Sequence, residues 1–154
     1  MGGRAFLEKL PGATFPRMDP LTYQLLKARH LEQLRQIFHL IGVPHEAPEK
    51  SSYGDIDYIV CSPLDTSSSR PEELKNALGA VHCIRNDHTL NLAIPLQGGD
   101  ASMFYQVDIN QCQDQDMWER TIFFHGYGDL GMIMGLMARV NGLSLGLNGL
   151  KVHY

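Results

Sequence analysis

A chain of 154 residues with 44 % hydrophobic and 19 % charged side chains has the make-up of one folded domain, and folding at that length buries roughly 68–70 % of the surface an unfolded chain exposes. A net charge of −4 with the 13 Lys and Arg scattered excludes a broad electrostatic grip on nucleic acid, which needs clustered basic groups. No apolar run reaches the roughly 20 residues of a membrane span, and no charged-then-apolar leader is read at the start, so an intracellular, cytoplasmic protein with no membrane partner is expected. Cys61, Cys83 and Cys112 are odd in number and lack C-x-x-C spacing, which predicts reduced thiols.

Residues 1–18 are punctuated by Gly and Pro. Asp19-Pro20 then reads as a helix N-cap with proline in the first turn, and the helix is expected to run to about Ile41, where Gly42 and Pro44 stop it. Leu31, Leu34, Ile37, Phe38 and Ile41 form its apolar stripe. After the loop "VPHEAPEKSSYG" a strand is predicted over Ile56–Cys61. Ser69 with Glu72 reads as a capping box opening a short helix that ends at Gly79. "VHCIRNDHTLNLAIPL" predicts a hairpin about Asn86-Asp87, closed by Pro95.

The next strand, "MFYQVDINQC", alternates strongly: Phe104, Gln106, Asp108 and Asn110 share one face, and Tyr105, Val107, Ile109 and Gln111 the other. A turn or two of helix is expected around Asp114–Phe124. A second helix follows, capped by Asp129, ended by Gly142 and apolar around most of its circumference, so it is expected to be largely buried. The tail "LSLGLNGLKVHY" suggests two short strands about Asn148-Gly149. The order predicts an α+β fold, a mixed sheet with helices packed mainly on one side.

Three aspartates stand out. In "SSYGDIDYIV", Asp55 and Asp57 are two residues apart at the head of an apolar strand, so both point to one face about 6.5 Å apart. Asp108 lies mid-strand between Val107 and Ile109, where no turn explains it. Solvated acids at a loop–strand junction account for the first pair. A site for a divalent cation with hard oxygen preference accounts for all three, because such an ion relieves carboxylate repulsion and keeps positions for phosphate oxygens. Two such ions about 3.5–4 Å apart activate a hydroxyl and stabilise a leaving oxygen in an in-line displacement.

Around these acids, Arg4, Lys50, Ser51 and Ser52 are candidate phosphate contacts or ordinary solvated loop residues. His82, His88 and His125 fit no zinc spacing. Tyr127 and Asp129 read as a turn and cap that also could line the site, and Trp118 and the Met132, Met134 and Met137 helix as core. No Cys/His or Ser/His/Asp arrangement points to a nucleophile.

"GGRAF", a helix, "YGDIDYIV" and the aspartate of "VDIN" together resemble the nucleotidyltransferase superfamily that includes DNA polymerase β. The likeness is closer to uncharacterised nucleotidyltransferase-like proteins of fungal and phage origin. It extends through "FFHGYGDLGMIMGLMARVNGLSL" and so spans nearly the whole chain. The resemblance implies a nucleotidyltransferase (polymerase β palm-like) fold. It also implies transfer of a nucleoside monophosphate from a nucleoside triphosphate to an acceptor hydroxyl on RNA, protein or a small molecule, with release of pyrophosphate. Asp55 and Asp57 would hold two Mg²⁺ (or Mn²⁺) ions, Asp108 would complete the ion that activates the acceptor, and Gly2 and Gly3 would let backbone N–H groups approach the triphosphate. Arg4 and Ser52 would assist there.

Family enzymes carry an apolar segment before the Gly-Gly and a further domain for base or acceptor. Residues 1–154 are therefore expected to be a single bare catalytic domain, a fragment of a longer protein, or a degenerate relative that binds without turnover. A nuclease using the same acids is disfavoured by the scattered basic residues.

Overall fold

Asp19 caps the first helix as its sequence suggests, accepting from the N–H groups of Leu21 and Thr22 at 2.9 and 3.1 Å, while Pro20 occupies the first turn. The computed structural model describes residues 4–6, 8–65, 70–128 and 130–152. In it this helix, α1, spans Pro20–Leu34, and the expected continuation to Ile41 is replaced by a strand, β1, over Phe38–Gly42. The apolar stripe survives, since Leu34, Ile37 and Phe38 are buried against one core, but a helix end, a turn and a strand carry it. Aromatic and β-branched residues satisfy a strand better than a helix, and the partner strand β2 (Asp55–Pro63) supplies the ladder that settles the choice.

Four more elements complete the central layer. They are α2 (Pro71–Leu78), β3 (His82–Asn86), β4 (Thr89–Pro95) and β5 (Phe104–Cys112). The sheet order is β1-β2-β5-β4-β3, with β2 and β5 parallel and the other neighbours antiparallel. The fold is thus α+β with a mixed five-stranded sheet. The hairpin is centred one residue later than expected: Asn86 pairs with Thr89, leaving Asp87 and His88 as the turn, with Asp87 at φ 51°. For α2 the N-cap is Arg70, without a side-chain cap bond, rather than Ser69, which lies outside the described residues; Gly79 ends it in the left-handed conformation at φ 71°.

One sheet face is the core. Ile56, Tyr58, Val60, Leu90, Leu92, Tyr105, Val107 and Ile109 meet α1 and α2 there. The Tyr58 hydroxyl donates to the Lys27 carbonyl at 2.8 Å and His30 Nε2 bonds the Tyr105 hydroxyl at 2.8 Å, both fastening α1 to the sheet.

Of the helices on the sheet, α1 and α2 lie on this core face, and described segments cover both ends of the opposite one. Phe6, of the 3₁₀ turn Arg4–Phe6, packs with Phe15, Ala93 and Phe104 over one end. Helix α3 (Gln115–His125), capped by Asp114, covers the other; Trp118 Nε1 donates to the Ile59 carbonyl at 2.8 Å.

Contact between α3 and β1 depends on Gly42. A Cβ there falls 2.1 Å from Ile122 Cδ1 and 3.1 Å from the Trp118 ring. Gly42→Val is expected to cost about 1–3 kcal/mol, lowering the melting temperature by several degrees, with Ile122→Ala in the same chain recovering most of the loss. Unchanged melting of Gly42→Val would contradict this packing.

Helix α4 (Leu130–Val140) and the hairpin β6 (Leu143–Gly146) and β7 (Gly149–Val152) complete the described chain. The tail strands were expected, with their turn one residue earlier, at Leu147-Asn148. The burial of α4 was not as expected: none of its described residues is buried, and Met137 and Val140 are 65 % and 87 % exposed. It packs on α3 and β6 and lies off the sheet, so its apolar surface is left open. Its expected cap, Asp129, lies outside the described residues.

Candidate metal centre and flanking cavities

The parallel pairing of β2 with β5 decides the site. Its register sets Asp57 opposite Asp108 and Asp55 opposite Gln106. Neighbouring strands run about 4.8 Å apart and alternate residues share a face, so the three aspartates predicted to converge do fall on one patch. That patch lies on the second face, between Phe6 and α3, and all three aspartates are half-buried there.

The electrostatics follow. Burial first, then the Asp108, Asp55 and Glu46 carboxylates, push the Asp57 carboxyl up to about 7, with Lys50 opposing. Burial raises Asp108 to about 6, held back by two amide donors. Asn91 Nδ2 donates to Asp108 Oδ1 at 2.7 Å, and Gln106 Nε2 donates to both Asp108 oxygens at 2.8 Å. Asn91 in turn accepts from Asn86 Nδ2 at 2.8 Å, so an amide chain runs from the hairpin turn to Asp108. Asn91 and Gln106 are 7 % and 5 % exposed.

Sequence reasoning assigned these two amides no role. The available signal was period two: Gln106 shares the face of Asp108, and Asn91 is a lone polar residue inside "TLNLAIP".

The candidate phosphate residues divide. Gly2 and Gly3 lie outside the described residues, and Arg4 opens the 3₁₀ turn. Phe6, the last residue of that turn, packs on the aspartate face against Ala93, which pairs with Gln106. Ser52 is held instead by Arg17, whose Nε donates to its Oγ at 2.7 Å and whose Nη2 donates to its carbonyl at 2.5 Å. Lys50 does approach the acids, bonded to Glu46 at 2.5 Å and lying over the Tyr53 ring. Glu46 also accepts from the Tyr23 hydroxyl.

Two cavities flank the acids. One, of about 210 Å³, is lined by Asp57, Glu46, Lys50, His45 and His125. Tyr127, at φ 57°, stacks on His45 with ring centroids 5.3 Å apart. The other, of about 410 Å³, lies past Asp108 between the β3–β4 turn, the end of β5 and the start of α3. Trp118 lines neither and is an anchor, half-buried under its bond to Ile59.

A hard divalent cation suits this donor set, which is all oxygen and all anionic, in a patch where the acids raise one another. As placed, no three His, Cys, Asp or Glu side chains among the described residues converge on a single point. Asp108 has three of its roughly four lone-pair sites engaged by amides, so Asp55 and Asp57 carry the freer oxygens. Among the described residues no helix is long and apolar enough to cross a membrane. No family model matches the chain, and no curated protein sequence is significantly similar to it.

Proposed function

We propose that the chain is a nucleotidyltransferase-fold domain that moves a nucleoside monophosphate from a nucleoside triphosphate to an acceptor hydroxyl. The observation that carries this reading is the facing of Asp57 and Asp108 across a parallel strand pair, with Asp55 one pleat away on the same face. Crowded half-buried carboxylates are costly without a partner of opposite charge, and a Mg²⁺-bound triphosphate brings two cations to such a patch.

Asp55 and Asp57 would hold Mg²⁺, or Mn²⁺ in its place, with Asp108 as the third ligand; when bound, the ions supply charge neutralisation at the transferring phosphoryl group. Asn91 and Gln106 keep Asp108 in one rotamer and favour its charged form. Lys50 brings positive charge to the cavity beside Asp57, and Gly2, Gly3, Arg4 and Ser52 would assist at the triphosphate. The acceptor oxygen bonds to the α-phosphorus, the bond to pyrophosphate breaks with its electron pair, and the hydroxyl proton passes to a carboxylate and then to solvent.

The test is calorimetric titration of Mg²⁺ with a non-hydrolysable triphosphate, followed by pyrophosphate release from mixed triphosphates. Wild type is expected to bind only with metal, and Asp55→Asn/Asp57→Asn to fold but not bind. Equal binding by the double variant, or none by wild type, overturns the reading. A second reading, a module of the same fold that binds without turnover, is favoured by the amides that occupy Asp108; it predicts metal-dependent binding with no pyrophosphate from any acceptor pool.

A further inference from the structure

The two cavities beside the aspartates differ in chemistry, and the difference separates two ligands. The smaller holds Lys50 with His45 and His125 beside Asp57, an environment for a polyanion bridged by cations. The larger, about 410 Å³, falls within the size range of small-molecule sites. Its walls mix the amides and hydroxyls of Asn86, Thr89, Asn110 and Gln113 with apolar surface from Met117 and Leu147. Asp87 and Asp114 outweigh Arg120 in the lining, so a phosphate-rich ligand is disfavoured, whereas a neutral ligand carrying several hydroxyls finds amide and hydroxyl donors and acceptors beside apolar surface.

This cavity also lies next to the site. Asn110 follows Asp108 by one pleat on the same sheet face, and Thr89 is its cross-strand partner. Asn86, at the cavity wall, starts the amide chain through Asn91 to Asp108.

We infer that the larger cavity is the acceptor subsite, and that the acceptor is a small neutral polyhydroxylated molecule, with a free ribonucleoside and a cyclic polyol as the two sources of that chemistry. The acceptor role rests on the nucleotidyl-transfer reading; the binding itself does not. In the transfer, one ligand hydroxyl oxygen forms the new bond to the α-phosphorus of the triphosphate, pyrophosphate leaves with the electron pair of the broken bond, and the hydroxyl proton is lost to a carboxylate and on to solvent. The same cavity gives a strand of RNA little purchase, since Arg120 is the single Lys or Arg side chain among its lining residues.

The experiment is protein-observed NMR titration with the four ribonucleosides, with myo-inositol and with a short oligouridylate, each without and with Mg²⁺ and a non-hydrolysable triphosphate. At least one nucleoside or the polyol is expected to shift the amides of Asn86, Thr89, Asn110 and Arg120, and Asn110→Leu and Arg120→Leu are each expected to weaken that binding at least tenfold. Both variants should keep the wild-type response to Mg²⁺ and triphosphate at Lys50 and Asp57, which shows that they fold. Failure of every neutral probe to shift these amides, or a response to the oligouridylate alone, overturns the inference. Absence of any triphosphate response at Asp57 overturns the nucleotidyl-transfer reading instead, and with it the acceptor role.

Discussion

Asp57→Asn is expected to melt higher than wild type at pH 8 in the absence of divalent ions, and to lose the stabilisation that Mg²⁺ brings. In the folded protein the Asp57 carboxyl is pushed up to about 7 from an ordinary 3.8, chiefly by burial and by Asp108 and Asp55. A raised acid binds more protons folded than unfolded. Its favourable contribution is therefore complete below about pH 3.8 and is lost as the pH rises through about 7. Asp108 follows the same course, with its loss centred near pH 6.

The full shift at Asp57 corresponds to an upper bound of about 4 kcal/mol, and its partial exposure reduces that to about 1–2 kcal/mol. For a chain of this length the melting temperature should fall by several degrees between pH 5 and pH 8. Mg²⁺ at ten times its dissociation constant should restore about 1.4 kcal/mol of that at pH 8. Asn keeps the shape of Asp57 and removes the charge, so the variant should show a flatter pH profile and no response to Mg²⁺. Thermal scans at pH 5, 6, 7 and 8, with and without Mg²⁺, measure both. A wild-type profile that rises towards pH 8 without metal would show that the acids do not crowd one another as described.

How far the sequence foretold this arrangement depends on the range of the interaction. Asp108 was conspicuous because alternation in "YQVDINQ" is local and an acid between Val107 and Ile109 has no turn to excuse it. The cap at Asp19 and the left-handed Gly79 were equally local. What stayed hidden was set at a distance. The pairing of Asp57 with Asp108 is a register between strands separated by α2 and a hairpin, and a slip by one residue would have turned Asp108 to the core face. Phe38–Gly42 became a strand because β2 was there to pair with it. Helix α4 carries the hydrophobicity of a core helix, and nothing in its own residues states that α3 and β6 cover only part of it. The roles of Asn91 and Gln106 belong to this class too, since an amide acquires meaning from the carboxylate the register sets beside it.

Gln106→Leu is the substitution expected to separate the charge on Asp108 from its placement. Gln106 donates to both carboxylate oxygens at 2.8 Å from a 5 % exposed position, and hydrogen bonds to a charged acceptor contribute about 1.5–3 kcal/mol each. Leu keeps most of the volume and removes the donor. The loss should reach about 2 kcal/mol at pH 8, where Asp108 is ionised, and shrink at pH 5, where it is largely protonated even in wild type. With one donor gone the folded carboxyl rises above about 6, so its favourable contribution is lost over a higher pH range, and denaturation midpoints of variant and wild type should converge in acid and diverge above about pH 6. A packing defect alone would cost the same at every pH.

Kinetics supply the second readout. If Asp108 works as a charged ligand, removing the amide that holds it should slow pyrophosphate release by about 10–100-fold and move the alkaline-going limb of the rate profile to higher pH. Asn91→Leu removes the other donor, at 2.7 Å, and should shift the same limb in the same direction. Loss of stability equal at pH 5 and pH 8, with an unmoved rate profile, would reduce both amides to core polar groups and leave Asp108 oriented by the strand alone.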